Sequence, residues 1–235
     1  AWPHPSDAAV VRGAPLFTAD VRRPGQLHGR VLRAPASPDL ASHAAAVDEA
    51  AARAVPGFVA LVRDDRLRQG RSLGLGLIAR TPGALDRIEA ALAVRWHIEA
   101  GPLDLARAAQ AVDIDAQLAA GALPHTLRDD RVGSATDTWD VDLRLDVPAA
   151  AHGAIEPRCA VAEVQADGVL CVWAGTQDAF YVRDVIARHS GLGEARVRVQ
   201  TQRIGGGFGG RTICTVELEA AMLALAPAAG GAPVK

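Results

Sequence analysis

Five of the six residues from Gly205 to Gly210 are glycine, with Phe208 as the exception. The run sits between an extended segment ending at Ile204 and a helix-forming segment beginning near Thr212. That density of glycine costs more backbone entropy than a plain turn demands. It allows backbone N–H groups to approach a ligand closely, and a helix N-terminus directly behind the loop would add partial positive charge. The expected occupant is an anion or an oxo-bearing ligand. Phe208 can wall a flat ligand while its own N–H still points inward.

Two familiar phosphate motifs match through glycine density alone. Gly205, Gly207 and Gly210 fit G-x-G-x-x-G, and Gly205, Gly210, Arg211 and Thr212 fit a P-loop with arginine in place of lysine. A dinucleotide fold opens with such a loop and continues well beyond it. A P-loop needs a later strand ending in an aspartate for magnesium. With 25 residues following Gly210, neither is expected. A purely structural tight turn is the plainer alternative.

Composition narrows the class further. The chain has 235 residues, 49% hydrophobic and 22% charged, with a formal net charge of −2, which gives it enough material for a sizeable core. Counterion release needs a concentrated basic surface, so no nucleic-acid partner is expected. No apolar stretch approaches the roughly 20 residues of a membrane span. The positive charge is almost all arginine, Lys235 being the one lysine, which reads as codon bias. Cys159, Cys171 and Cys214 lack C-x-x-C spacing, so they are expected as buried free thiols rather than as disulfides or a metal cage. The sequence begins at Ala1 with no signal-like segment, and the expected compartment is cytoplasmic rather than periplasmic.

Periodicity and punctuation predict an α+β chain. Residues 26–33 read as a strand, 44–54 as a helix stopped by Pro56-Gly57, and 58–64 and 73–79 as strands. Thr81 and Pro82 open a helix, followed by a strand over 93–99. Residues 103–121 read as a helix, and the stretch from His125 as a connector. Residues 139–147 alternate as a strand with one wet face. A hairpin turns at Ala166-Asp167-Gly168, then come a helix closed by Gly191, a strand to Ile204, the glycine loop and a final helix over 212–226. The resulting domains are 1–100, a connector with helix at 101–135, and 136–235.

A second constellation lies upstream of the loop. Thr176-Gln177 ends a hairpin strand, and the uncharged glutamine amide suits orientation of an oxo-bearing ligand. His152 and Glu156 read either as a proton relay or as a structural hydrogen-bonded pair.

In order, H-x-x-x-E-P (152–157), T-Q (176–177), L-G (192–193), V-R-V (197–199) and G-G-G-F-G-G-R (205–211) resemble the large subunit of molybdenum hydroxylases, the xanthine dehydrogenase and aldehyde oxidase superfamily. The front, with RPGQLHGRVLRAP (23–35) and LIARTPGALDRIEAAL (77–92), looks like that family's small hammerhead α/β domain. The resemblance implies a hammerhead-like domain followed by the first portion of a mixed α/β molybdopterin-binding domain. It implies molybdopterin with molybdenum, in the cytosine dinucleotide form, and [2Fe-2S] clusters on a partner chain. Gln177 would bond an oxygen ligand of the metal. Gly206, Gly207, Phe208, Gly209, Gly210 and Arg211 would contact cofactor, and Thr212 would face substrate where purine-oxidising relatives have glutamate.

The family's general-base glutamate matches no position here, so no catalytic residue and no direct metal ligand are expected on this chain. The implied reaction is hydroxylation of an N-heterocycle or aldehyde with water as oxygen source. The implied partners are a chain carrying the remaining cofactor-binding half, an iron–sulfur subunit, and a flavin or cytochrome subunit. The chain would be inactive alone, as an N-terminal portion or split subunit. The alternative is a non-catalytic cofactor-binding or assembly subunit. A sheet ending near Lys235 is further expected to leave a strand edge or apolar face for another chain to cover.

Overall fold

The computed structural model describes residues 7–99, 113–121 and 151–235, with positions 138, 140, 141, 143 and 145 between them. Residues up to Glu99 and from His152 form one compact unit, and Ala100–Ala151 form a second. The first unit is mixed α/β, with several sheets.

β1 (His28–Leu32), β3 (Phe58–Val62) and β6 (Leu75–Ala79) make one antiparallel sheet in the order β1-β6-β3. β8 (Ala160–Val164), β9 (Leu170–Ala174) and β10 (Val197–Thr201) make a second in the order β10-β9-β8. β8 and β9 are the expected hairpin, with Gly168 at φ +77° in the turn. β10 returns parallel to β9 after the helix α5 (Ala179–Ser190). Asp178 caps α5 through Tyr181 N–H at 2.9 Å, and Gly191 closes it at φ +73°.

Three C-terminal residues join the two sheets. Val234 bridges Leu27 in parallel and Ala162 in antiparallel sense. Leu27 and Gly29 donate to the carbonyls of Pro233 and Lys235 at 2.8 and 2.7 Å, and Val234 and Ala162 exchange both bonds at 2.9 Å. Val234 is wholly out of solvent. The result is a continuous ladder with residues 233–235 at its centre.

β6 explains how the sheet is covered on both faces. All five of its residues are buried, as expected of a strand packed on two sides. Leu75, Leu77 and Ala79 face a core with Leu85, Ile88 and Leu92 of α3 (Pro82–Leu92) and Ala52 of α2 (Glu49–Arg53). Ile78 faces the larger core, shared with α5 and with α6 (Val216–Leu225). Gly29 and Gly76 make the approach of α6 possible. A Cβ on either would lie 2.6 or 2.7 Å from a methyl of Leu223, a distance at which something must shift.

Three expectations need correction. The helix over 44–54 starts only at Glu49, where Asp48 accepts from Ala51 N–H at 2.9 Å. Ser42–Ala46 is instead β2, paired with β7 (Arg95–Ile98) and with the short β5 (Ser72–Leu73), beside β4 (Arg68–Gln69). Alanine fits either state, and the cap decides where the helix begins. The final helix begins at Val216 rather than Thr212. In the second unit, α4 (Ile114–Ala119) falls within the expected helix, whose remainder lies outside the described residues. The described positions 140, 141, 143 and 145 are not in a strand.

Candidate functional site

The glycine loop is built around Arg211. Its guanidinium is 2% exposed and donates to three carbonyls: Gly206 at 2.8 Å, Gly175 at 3.1 Å and Glu156 at 2.8 Å. It also pairs with Glu156 Oε2 at 2.8 Å. The same carboxylate oxygen accepts Gly205 N–H at 2.7 Å, while Oε1 is buried with no hydrogen bond. Glu156 is therefore committed to the loop and to Arg211. His152, expected as its partner, instead packs against the backbone of Gly209 and Gly210, where added Cβ atoms would lie 3.5 and 3.1 Å from the imidazole.

Gln177 clamps the other end. Its Oε1 accepts Gly209 N–H at 3.2 Å and Arg211 N–H at 3.3 Å, and its own backbone N–H donates to Arg211 O at 3.1 Å. Thr176 Oγ1 donates to the same carbonyl at 3.1 Å. Two backbone donors fix which amide atom is oxygen. Nε2 is then the outward end, with two N–H groups that form no hydrogen bond among the described residues.

The loop's polar groups divide by direction. The carbonyls of Gly205, Gly206, Gly207, Gly209, Gly210 and Arg211 all accept bonds from the protein. Arg158 reaches Gly210 O at 3.1 Å and Ile213 O at 2.9 Å. The N–H groups of Gly206, Gly207 and Phe208, three in succession, have no partner among the described residues. Gly206, Phe208 and Gly209 have φ of +107°, +52° and +94°. Successive N–H groups on such alternating backbone make anion-binding concavities. Phe208 holds a left-handed conformation costing roughly 1–2 kcal/mol for a side chain of this kind. Its ring lies over Gly206 and is 73% exposed.

Glycine at 207 is required by geometry. A Cβ there would lie 2.5 Å from Gln177 Oε1, inside the cradle. Thr212 is exposed and spends its hydroxyl on Gly209 O at 2.6 Å. The helix dipole contributes less than the sequence suggests. α6 starts five residues beyond Arg211, and its first turn holds Glu217, buried and paired with Arg158 at 2.8 Å. Glu219 pairs with Arg33 at 2.5 Å. Both carboxylates are thus structural, and neither reaches the loop as a free base.

No group of three His, Cys, Asp or Glu among the described residues could hold a metal directly. The three cysteines are free. Burial pushes all three thiols up, and Glu217 adds to that at Cys214, which reaches about 12. The set of open donors, three N–H groups and one amide, complements a ligand rich in acceptors. An acceptor-bearing cofactor that brings its own metal fits this cradle.

The comparisons with known proteins agree with that class. Residues 119–235 match the molybdopterin cofactor-binding domain family. Residues 119–235 belong to that family, and the chain is similar to xanthine dehydrogenases and aldehyde oxidases. It is 29% identical over 222 residues to a nicotinate dehydrogenase subunit from Pseudomonas putida, covering 91% of this chain and 18% of that protein. The aldehyde oxidoreductase of Desulfovibrio gigas has the same fold, with a TM-score of 0.71, 21% identity, and coverage of 99% of this chain and 29% of the neighbour. Quinoline 2-oxidoreductase from Pseudomonas putida 86 gives a TM-score of 0.68 at 19% identity, with 100% of this chain and 34% of the neighbour covered. No helix among the described residues is long and apolar enough to cross a membrane.

Proposed function

We propose that this chain supplies one wall of the molybdopterin site of a molybdenum hydroxylase acting on an N-heterocycle or an aldehyde. The observation that carries this reading is the division of the loop, whose carbonyls at Gly205, Gly206, Gly207, Gly209, Gly210 and Arg211 are bonded to protein while the N–H groups at Gly206, Gly207 and Phe208 have no partner among the described residues. Gln177 Nε2 would donate to an oxygen ligand of the metal, and the three N–H groups to an oxo ligand or the pterin. Gly209 and Gly210 set the backbone course, and Phe208 shields the ligand from water. Arg211 acts from beneath, because every nitrogen of its guanidinium is engaged by protein. Thr212 stands at the substrate side of the loop.

When bound, the cofactor, in its cytosine dinucleotide form, supplies the two-electron chemistry that places oxygen from water on a carbon next to nitrogen or oxygen. This chain's residues bind and orient it. The carboxylates around the loop, Glu156, Glu217 and Glu219, are each held by an arginine, so the general base is assigned to polypeptide outside this chain. Electrons would leave through [2Fe-2S] clusters on a partner chain. In this reading residues 1–100 are the hammerhead-like domain, 101–135 a connector, and the isolated chain is inactive.

Gln177→Glu separates binding from folding. A glutamate retains an oxygen to accept from Gly209 and Arg211 but replaces the outward donor with negative charge. Molybdenum and pterin content of the assembled complex should fall at least about tenfold while the melting temperature changes little. Full cofactor content in that variant would contradict the assignment.

A further inference from the structure

Ser42 and Ser72 bond through their hydroxyls at 2.9 Å on the buried face of the sheet β4-β5-β2-β7. Ala44 and Trp96 pack inward against the core of Leu85, Ile88 and Leu92. Successive side chains in a strand point to opposite faces. His43 of β2 and His97 of β7 therefore stand on the outer face, and both are exposed. They are directly opposed across the antiparallel pair.

The two rings have centroids 5.0 Å apart and planes tilted by 40°. No ring nitrogen of either forms a hydrogen bond among the described residues. An ion bonded at ~2.0–2.1 Å to one nitrogen of each imidazole, at a near-tetrahedral angle, sets ring centres about 5 Å apart. The pair already has that separation. The backbone holds it there: Ser42 and Ile98 pair on one side, Ala44 and Trp96 on the other, and Glu99 N–H donates to Ala41 O at 2.8 Å. Exposed imidazoles need only turn about their own side-chain bonds to aim two lone pairs at one point.

We propose that His43 and His97 form a divalent transition-metal site on the outer face of this sheet, sharing no residue with the glycine loop. Imidazole suits zinc, copper and nickel, whereas magnesium and calcium take oxygen ligands. Glu99, next on the same face of β7, is paired with Arg71 at 2.5 Å, so the remaining positions on the ion fall to water. Such a site is open and exchangeable, unlike a closed structural site with four protein ligands. It spans two strands far apart in sequence, and β7 is the edge of its sheet. A bound ion therefore staples β7 to β2 and stabilises only the paired state.

The test is equilibrium dialysis of the assembled complex against nickel chloride, with bound nickel read by elemental mass spectrometry. The unsubstituted protein is expected to hold about one nickel per copy more than the His43→Gln, His97→Gln double variant. Each single variant should lose at least about tenfold in affinity, nearly the whole effect, because the second imidazole acts at high effective concentration. Excess magnesium chloride should not compete. In the unsubstituted protein, nickel at about ten times its dissociation constant should slow amide exchange over Arg95–Ile98 about tenfold, with α3 unchanged. Single variants that each halve the bound nickel would mean two independent imidazoles and overturn the proposal. So would nickel binding equal to that of the double variant, displacement by magnesium, or unchanged exchange over Arg95–Ile98 at saturation.

Discussion

Arg211 and Glu156 form an ion pair at 2.8 Å with both side chains almost out of solvent, 2% and 11% exposed. Far apart in sequence, they lock the two ends of the loop architecture: one follows the last glycine, the other precedes β8. The pair leaves the loop's backbone donors as its unspent chemistry.

Arg211→Met keeps volume but strands Glu156 without its cation and three carbonyls without a donor. Removing one partner of a buried pair costs about 3–5 kcal/mol. Urea denaturation should show that loss, and Arg211→Lys should recover only part of it, because a single ammonium cannot reach every acceptor.

Gly207→Ala pushes a methyl to within 2.5 Å of Gln177 Oε1. Overpacking of this kind costs roughly 1–3 kcal/mol. The expected outcome is a modest fall in melting temperature and a much larger fall in bound cofactor. An alanine variant with full cofactor content would show that Gln177 need not stay where the loop holds it.

His28 lies lower than its ordinary 6.5, first through burial and then through Lys235 and Arg22. The folded state thus favours the neutral ring. Its contribution is complete above pH 6.5 and is lost as pH falls through the lower folded value. Asp20 and Asp64 are also lowered, by hydrogen bonds, but from 3.8, so their contribution is lost only at more acid pH. The urea midpoint should drop between about pH 7 and 5, and His28→Gln should flatten that slope.

Cys214, pushed to about 12 by burial and Glu217 from an ordinary 9.0, holds about a thousandfold less thiolate near pH 8 than a free thiol. Alkylation by iodoacetamide should be correspondingly slow in the native chain and fast in urea. Rapid native labelling at Cys214 would contradict its described surroundings.

The sequence was most legible where structure is decided locally. Thr81 accepts from Ala84 N–H at 3.2 Å with Pro82 in the first turn, and Gly168 turns the hairpin. Both signals sit within a few residues of their effect. Residues 44–46, expected as the start of a helix, are strand instead, because an alanine-rich run fits either state and pairing with β7 decides. The glycine loop announces a ligand, but which of its N–H groups stay open depends on the acceptors Glu156 and Gln177, both distant in sequence. Residues 233–235 show no periodicity over so short a span, and their central place comes wholly from the edges of β1 and β8.

Elemental mass spectrometry of the complex purified from its native source tests the central claim most directly. About one molybdenum per copy of this chain is expected, with fluorescent pterin released on denaturation. A complex containing this chain, free of molybdenum and pterin, would contradict it.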